Sequence, residues 1–127
     1  MLAATVTAAC MIPASPASAA SVSVSRDGMS SSMSFSWASS HSWNSGTLKV
    51  SDTKADGDSV KAQILDYANT EGTHSNNGGS GTTATFSNLG FNSSNYNITY
   101  IYLHGCVVIS LYPDACTNGG KSYNPYA

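Results

Sequence analysis

The sequence feature that most restricts the fold is a strict alternation of serines with large apolar residues. Residues 30–37 read S-S-S-M-S-F-S-W, so Met33, Phe35 and Trp37 share one side of an extended chain and serines occupy the other. This period of two predicts a β-strand with one buried face and one solvated face.

Shorter segments repeat this pattern along the chain. Val22 and Val24 alternate with serines, and residues 59–67 again alternate apolar with polar side chains. Turn residues separate the segments at intervals of about ten residues, as in small barrels and sandwiches. We predict an all-β fold, an antiparallel β-sandwich of six to seven short strands, because each strand has one apolar and one polar face. The polar run at 69–81 is predicted to be a mobile loop.

The longest apolar run of residues 20–127 lies at 98–116. Sorting it by position gives a predicted buried face, which consists of Ile101, Leu103, Val107, Ile109 and Leu111. The alternate positions give a predicted outer face of Tyr100, Tyr102 and His104. Gly105 interrupts the alternation and predicts a bulge or sharp bend.

Residues 1–19 are predicted to be a secretory signal peptide that precedes a single domain at 20–127. The chain begins with an uncharged apolar run, and Ala17 and Ala19 then form an A-x-A cleavage pattern. The alternative is that this segment is a helix or strand of the fold. Removing it with Cys10 leaves Cys106 and Cys116, which have only each other as partners. We expect a secreted, extracellular protein with one Cys106–Cys116 disulfide bond.

The charge of the chain limits its partners. Charged residues make up 9% of the sequence, and the net charge is −2. Nucleic acids and anionic membranes both require clustered Lys and Arg, but the five basic residues are scattered: Arg26, Lys49, Lys54, Lys61 and Lys121. The apolar N-terminal run is also too short to span a bilayer. We expect no nucleic-acid partner and no membrane insertion.

No motif in the sequence indicates catalysis. Asp52, Asp56 and Asp58 surround Gly57 in a pattern that fits a Ca²⁺ loop or a hairpin turn, and we favour the turn because Lys54 stands where a calcium loop has a ligand. The three histidines lack the spacing of a zinc site, and no local signature supports a Ser-His-Asp set. We expect no enzymatic activity, no metal and no cofactor.

Aromatic residues outside the predicted core indicate binding surfaces. Trp43 falls in a polar segment, and tyrosines on an outer strand face combine a large contact area with a polar tip. Cross-strand packing that stabilises the sheet would account for the same tyrosines. The short strand near the N-terminus could instead add to the edge of a partner's sheet. The predicted contact residues are Trp43, Tyr100, Tyr102, His104, Val22 and Val24.

Three segments within 47–116 carry a family resemblance: L-K-V-S-D-T-K-A-D-G-D-S-V-K-A-Q-I, G-G-S-G-T-T and C-V-V…P-D-A-C. They resemble small secreted β-sandwich proteins of Streptomyces and related actinomycetes. Some of those proteins look similar to the adaptor, or B, component of umbrella toxin particles, which links a lectin-bearing subunit to the ring of a large toxin-bearing subunit. The resemblance implies a non-enzymatic scaffold that works through protein contacts.

We therefore expect a secreted protein-binding adaptor whose partners are other secreted proteins, in the setting of an extracellular antibacterial toxin complex. The alternative is a carbohydrate-binding, lectin-like module. In that case Trp43 and the tyrosines would serve as flat platforms for glycans.

Overall fold

The structure, a computed structural model, describes residues 18–127, which form nine β-strands and no helix. The strands are β1 (Ala19–Arg26), β2 (Met29–Ser39), β3 (Ser42–Asp52), β4 (Ser59–Leu65), β5 (Thr70–Asn76), β6 (Thr83–Asn92), β7 (Tyr100–Val108), β8 (Ala115–Asn118) and β9 (Ser122–Tyr123). Within this range no helix meets the length and hydrophobicity needed to span a membrane.

The strands form two antiparallel sheets that pack face to face. The first sheet has the order β1-β2-β3-β6, and the second has the order β5-β4-β7-β8, with β9 also paired to β7. Apolar side chains from both inner faces make one core, in which Leu48, Ile101 and Leu103 are fully buried. The predicted antiparallel β-sandwich is confirmed, with nine strands where six to seven were expected.

The predicted signal peptide lies almost entirely outside the described residues. Its last residue, Ala19, begins β1 and pairs with Ser36 of β2. A cleavage after Ala19 would leave the pairs from Ala20 onward in place, and that cleavage stays a prediction.

The alternation at 30–37 gives the strand that it predicts. Met33, Phe35 and Trp37 are buried, while Ser32 and Ser34 on the other face of β2 are exposed. This strand pairs on both sides, with β1 and β3, so its backbone hydrogen bonds are satisfied within the sheet.

The predicted mobile loop at 69–81 is wrong, because its first half is the edge strand β5. Backbone pairing with β4 holds this strand and requires no alternation of apolar side chains. At the end of β5 the side-chain amide of Asn76 is buried, and its Nδ2 donates to the backbone carbonyls of Val50 and Thr82, both at 3.0 Å. The segment is therefore anchored by polar contacts that a hydrophobic pattern does not reveal.

The predicted buried face of β7 is confirmed at Ile101, Leu103 and Val107, but Leu111 departs from it. Ile101 and Leu103 are buried, and Tyr102 on the opposite face is half-buried. The strand ends at Val108, after which the chain turns, and Leu111 is 98% exposed. The expected burial of Leu111 is wrong because the turn interrupts the period of two before the side chain could reach the core.

The predicted bulge at Gly105 is also wrong. Gly105 stays in register with Ala62 on one side and Thr117 on the other. A Cβ atom at this position would lie 2.8 Å from the Sδ of Met29 and 2.8 Å from the Cγ1 of Val24. Glycine is required here because side chains of the first sheet pack directly on the β7 backbone.

Replacing Gly105 with alanine is therefore expected to destabilise the protein. The Met29 side chain can move aside, but the branched Val24 cannot rotate freely on a strand, so we expect a loss of about 1–3 kcal/mol. Denaturant unfolding of Gly105→Ala measures the change. Gly57→Ala is not a suitable control, because Gly57 has a positive φ of 78°. An unfolding midpoint equal to that of the wild type would contradict the close approach.

The predicted disulfide bond is confirmed. Cys106 and Cys116 are directly opposite each other on β7 and β8 and are bonded, with a sequence separation of 10. The bond closes the hairpin that carries the turn between these strands.

Removing this bond is expected to weaken the fold without abolishing it. Loop-closure entropy for a separation of 10 residues corresponds to about 2–3 kcal/mol. The large two-sheet core stays intact, so the Cys106→Ala/Cys116→Ala variant should unfold cooperatively at a lower denaturant concentration. Equal midpoints for variant and wild type, or an unfolded variant in the absence of denaturant, would each contradict this expectation.

Candidate functional site: a tyrosine face and its acidic support

A cluster of aromatic side chains covers the second sheet at the end where β7 begins. We call this cluster the tyrosine face; it consists of Tyr67, Tyr96, Tyr100, Tyr102, Tyr123 and Lys121. Tyr100 is its centre, with ring centroids 5.7 Å from Tyr123, 6.1 Å from Tyr102 and 6.4 Å from Tyr67. The Nζ of Lys121 lies 4.3 Å from the Tyr100 ring centroid, in cation–π geometry.

Sheet pairing brings these side chains together from distant parts of the chain. Tyr100 pairs with Tyr123 of β9, while Tyr102 pairs with Leu65 at the end of β4, two residues before Tyr67. Tyr67 is 53% exposed and Tyr123 is 67% exposed, so the outer members of the cluster present their rings to solvent. The predicted outer face of β7 thus forms part of a larger surface.

The rings of the tyrosine face do not lie in one plane. The angle between ring planes is 35° for Tyr100 and Tyr102, 57° for Tyr67 and Tyr100, and 64° for Tyr100 and Tyr123. Tyr96 stands nearly perpendicular to Tyr67, at 87°. The rings are therefore tilted relative to one another, and the surface that they form is not flat.

A network of two carboxyl groups supports the tyrosine face from below. Asp66 is buried and accepts hydrogen bonds from the backbone amides of Ala68 and Asn69, both at 2.6 Å, and from the Tyr96 hydroxyl at 2.5 Å. Its carboxyl group also forms a hydrogen bond with that of Glu71. Glu71 in turn accepts a 2.6 Å hydrogen bond from the indole N–H of Trp43.

The network holds one proton between two acids. Burial, reinforced by Asp66, raises the pKa of Glu71 to about 9, so this side chain is neutral near pH 7. Burial opposes ionisation of Asp66, but its hydrogen bonds to Glu71, Tyr96 and the two amides outweigh that effect and lower its pKa. Burial and the hydrogen bond to Asp66 raise the pKa of Tyr96 to about 12.

Three of the four carboxyl oxygens accept hydrogen bonds from N–H or O–H groups of the protein: both oxygens of Asp66 and Oε1 of Glu71. Glu71 Oε2 is buried and has no N–H or O–H donor among the described residues, as expected for the oxygen that carries the shared proton. The network therefore orients Tyr96 and Trp43 and leaves no carboxylate oxygen directed at solvent.

The expected exposure of Trp43 is wrong. Trp43 lies on β3, is only 2% exposed, and packs edge to face against Phe35 at 5.6 Å in the core. The polar segment around it misled the prediction, because the partner of the indole N–H is the buried carboxyl of Glu71, 28 residues away. A buried ring of this kind offers no platform to a glycan.

Val22 and Val24 lie on β1, an edge strand of the first sheet, so the expected pairing of this strand with a partner's sheet stays a prediction that concerns its backbone. Both side chains are 5% exposed and belong to the core. The free edge of β1 is partly covered, since Arg26 donates to the Thr117 hydroxyl and Gly119 lies against the Ser23 carbonyl. Strand addition at this edge would require these contacts to open.

His104 lies on the outer face of β7, as predicted, and its Nδ1 lies 2.6 Å from the Oδ1 of Asn118. Among the described residues, one group of three ligand-bearing side chains could share an ion: His104, Cys106 and Cys116, with ligand atoms within 4.8 Å of one another. The two sulfurs are bonded to each other, so neither is a thiolate ligand.

The aspartates at 52–58 act within turns. Asp52 Oδ1 accepts a hydrogen bond from the Lys54 amide, and Asp56 Oδ1 accepts one from the Asp58 amide. These side-chain-to-backbone contacts are the ones that Asp makes in turns, which agrees with the favoured interpretation of this segment.

Comparison with known proteins gives no relative: no family model, no curated protein and no solved structure matches the chain. The geometry of the tyrosine face is therefore the basis of the functional argument.

Replacing Glu71 with glutamine tests the acidic network through pH. Unfolded Glu71 ionises near 4.5, whereas the folded side chain keeps its proton up to about 9, so its contribution to stability falls as the pH rises through this window. Glutamine stays neutral and can make both hydrogen bonds. We expect the melting temperature of Glu71→Gln, relative to wild type, to rise steadily between about pH 5 and pH 9. A constant difference across this range would contradict a shared proton.

Proposed function

We propose that this protein is a secreted, non-enzymatic adaptor that binds other proteins through the tyrosine face. The observation that carries the proposal is the exposure of Tyr67 and Tyr123 on either side of the half-buried Tyr100. Tyrosine is enriched at protein interfaces because its ring buries a large area and its hydroxyl can still form a hydrogen bond.

The support beneath the face favours tight binding. The Tyr96 hydroxyl is fixed by Asp66, and the Tyr100 ring is covered by Lys121, so these side chains have little freedom left to lose when a partner binds. Ordering flexible side chains normally opposes association, and a preformed surface avoids much of that loss.

The chemistry of the face favours a protein partner of modest charge. Lys121 is its one cationic side chain. Of the two acids beneath the face, Asp66 is buried and engaged by the Tyr96 hydroxyl, and Glu71 is neutral at pH 7. Ring edges and faces at different angles suit an irregular protein surface better than a flat polysaccharide. The resemblance to the adaptor component of umbrella toxin particles supports the same class of partner, within an extracellular antibacterial complex.

A carbohydrate-binding module is the second candidate. The exposed rings of Tyr67 and Tyr123 could each stack on a single sugar, which is the observation that favours it. A coplanar platform for a polysaccharide is disfavoured, because Trp43 is in the core and the tyrosine rings are tilted.

The double variant Tyr67→Ala/Tyr123→Ala tests the proposal. Both rings are more than half exposed, so the fold should be retained, while truncation of two interface tyrosines should reduce binding about tenfold or more. The immobilised protein is incubated with culture supernatant of the producing organism, and retained secreted proteins are quantified by mass spectrometry. Tyr126→Ala is the control, since Tyr126 is 51% exposed and makes no ring contact with the face among the described residues.

The outcomes separate the candidates. Secreted proteins that bind wild type and Tyr126→Ala but not the double variant support the adaptor. Retention on a glycan matrix that the double variant loses, with no protein bound, supports the lectin. Equal retention by all three proteins would remove the tyrosine face from either role.

A further inference from the structure

The turn between β7 and β8 exposes two large side chains at the opposite end of the sandwich from the tyrosine face. Leu111 is 98% exposed and Tyr112 is 72% exposed. We call this pair the apolar tip. An isolated exposed leucine is common on protein surfaces, so the tip requires further observations before a role can be argued.

The first of these observations is the backbone conformation of Leu111. Its φ is +67°, in the left-handed region that L-residues with a large side chain rarely adopt. Within residues 18–127, the other non-glycine residues with a positive φ are Ser45 and Asn88, which are small and polar. The exposed Leu111 side chain makes no packing contact in the core that would offset this backbone conformation. Neither packing nor local conformational preference therefore accounts for a leucine at this position.

The second observation is that the tip is held rigidly. The Cys106–Cys116 disulfide closes the hairpin below it, and the Tyr112 amide donates to the Ile109 carbonyl at 3.3 Å. Lys61 of β4 forms a 2.9 Å ion pair with Asp114, at the end of the turn. A side chain fixed in a projecting position binds with less loss of freedom than one on a flexible loop.

The third observation is the charge around the tip. Four exposed or half-exposed acids lie at this end of the sandwich: Asp27, Asp56, Asp58 and Asp114. Lys54 pairs with Asp27 at 2.8 Å and Lys61 pairs with Asp114, while Asp56 and Asp58 have no ion-pair partner within residues 18–127. Arg26 also lies at this end, beside Asp27, and donates to the Thr117 hydroxyl, so four acids exceed three cations by one. The resulting small negative charge, with Asp56 and Asp58 outside any ion pair, favours neither an anionic membrane nor a second copy of the same end.

We propose that the apolar tip inserts into an apolar pocket of a second secreted protein, and that Lys or Arg side chains border this pocket. The inference rests on the proposed adaptor role, because an adaptor needs two separate contact surfaces. Tyr100 and Val108 are the two ends of β7, about 26 Å apart at the usual rise per residue. Partners at the tyrosine face and at the tip could therefore bind at the same time.

A photo-crosslinking experiment tests the tip. The full chain is made with Tyr112 replaced by p-benzoylphenylalanine and is irradiated in culture supernatant of the producing organism. We expect an adduct with one secreted protein, mapped by mass spectrometry to a segment with apolar residues flanked by Lys or Arg. Adding Leu111→Asn should reduce the adduct about tenfold or more, because asparagine keeps the left-handed backbone but removes the apolar side chain.

Two further variants control for folding. Asn88→Gly changes a left-handed residue on β6 and should leave the adduct unchanged. The melting temperature of Leu111→Asn should equal or exceed that of the parent, since the exposed side chain contributes no packing. If Leu111→Asn folds poorly, Leu111→Gly, which suits the positive φ best, replaces it in the same assay.

Several outcomes would overturn the inference. These are an undiminished adduct with Leu111→Asn, an adduct with a second copy of this chain, an adduct on an acidic segment, no adduct, or co-sedimentation with phosphatidylglycerol vesicles that depends on Leu111. The Tyr67→Ala/Tyr123→Ala variant separates this failure from that of the adaptor role. If the Tyr67→Ala/Tyr123→Ala variant loses its bound protein while Leu111→Asn has no effect on the adduct, the tyrosine face keeps its proposed role. In that case only the role of the apolar tip is removed.

Discussion

Contact between the two apolar sheet faces is the interaction on which the rest of this structure depends. The strands β1, β2, β3, β4 and β7 commit alternate residues to one core, which includes Leu48, Ile101 and Leu103. The remaining residues of each strand must then face solvent, and the two outer surfaces differ. Across the first sheet one register row runs Ser23, Ser32, Lys49 and Thr85, all exposed. The outer face of the second sheet carries Tyr100 and Tyr102, so its side chains are larger than those of this row.

The acidic network connects this core to the surface. Trp43 belongs to the first sheet and the core, Glu71 to the edge strand β5 of the second sheet, and Tyr96 to the tyrosine face. The chain of contacts from Trp43 through Glu71 and Asp66 to Tyr96 joins both sheets by hydrogen bonds in a partly water-excluded setting, where such bonds are strong. The position of Tyr96 is therefore set by the packing of the whole sandwich and not by its own loop alone.

The period-two pattern predicted the fold class and the buried faces of β2 and β7. The disulfide bond was predicted separately, because only two cysteines remain after the predicted signal peptide. Prediction failed where a polar contact between distant residues decides the outcome. Trp43 looked exposed because its neighbours are polar, but its N–H is satisfied by Glu71 far along the chain. The strand β5 was predicted to be a loop because it has no apolar alternation. It is held instead by backbone pairing with β4 and by the side chain of Asn76. Only part of the tyrosine face was predicted from the sequence. Tyr100 and Tyr102 were predicted as contact residues, whereas Tyr67 and Tyr123 join them only through sheet pairing.

The disulfide between β7 and β8 has a mechanical consequence. A pull between the tyrosine face and the turn at Leu111 would be carried by the backbone of β7, which is held by β4 on one side and by β8 and β9 on the other. Force along a central strand loads its hydrogen bonds in shear, many at once, whereas peeling a terminal hairpin would break them one at a time. Because Cys106 is bonded to Cys116, the hairpin cannot be peeled open beyond that bond. Tension would therefore pass from one end of the molecule to the other through its most deeply packed strand.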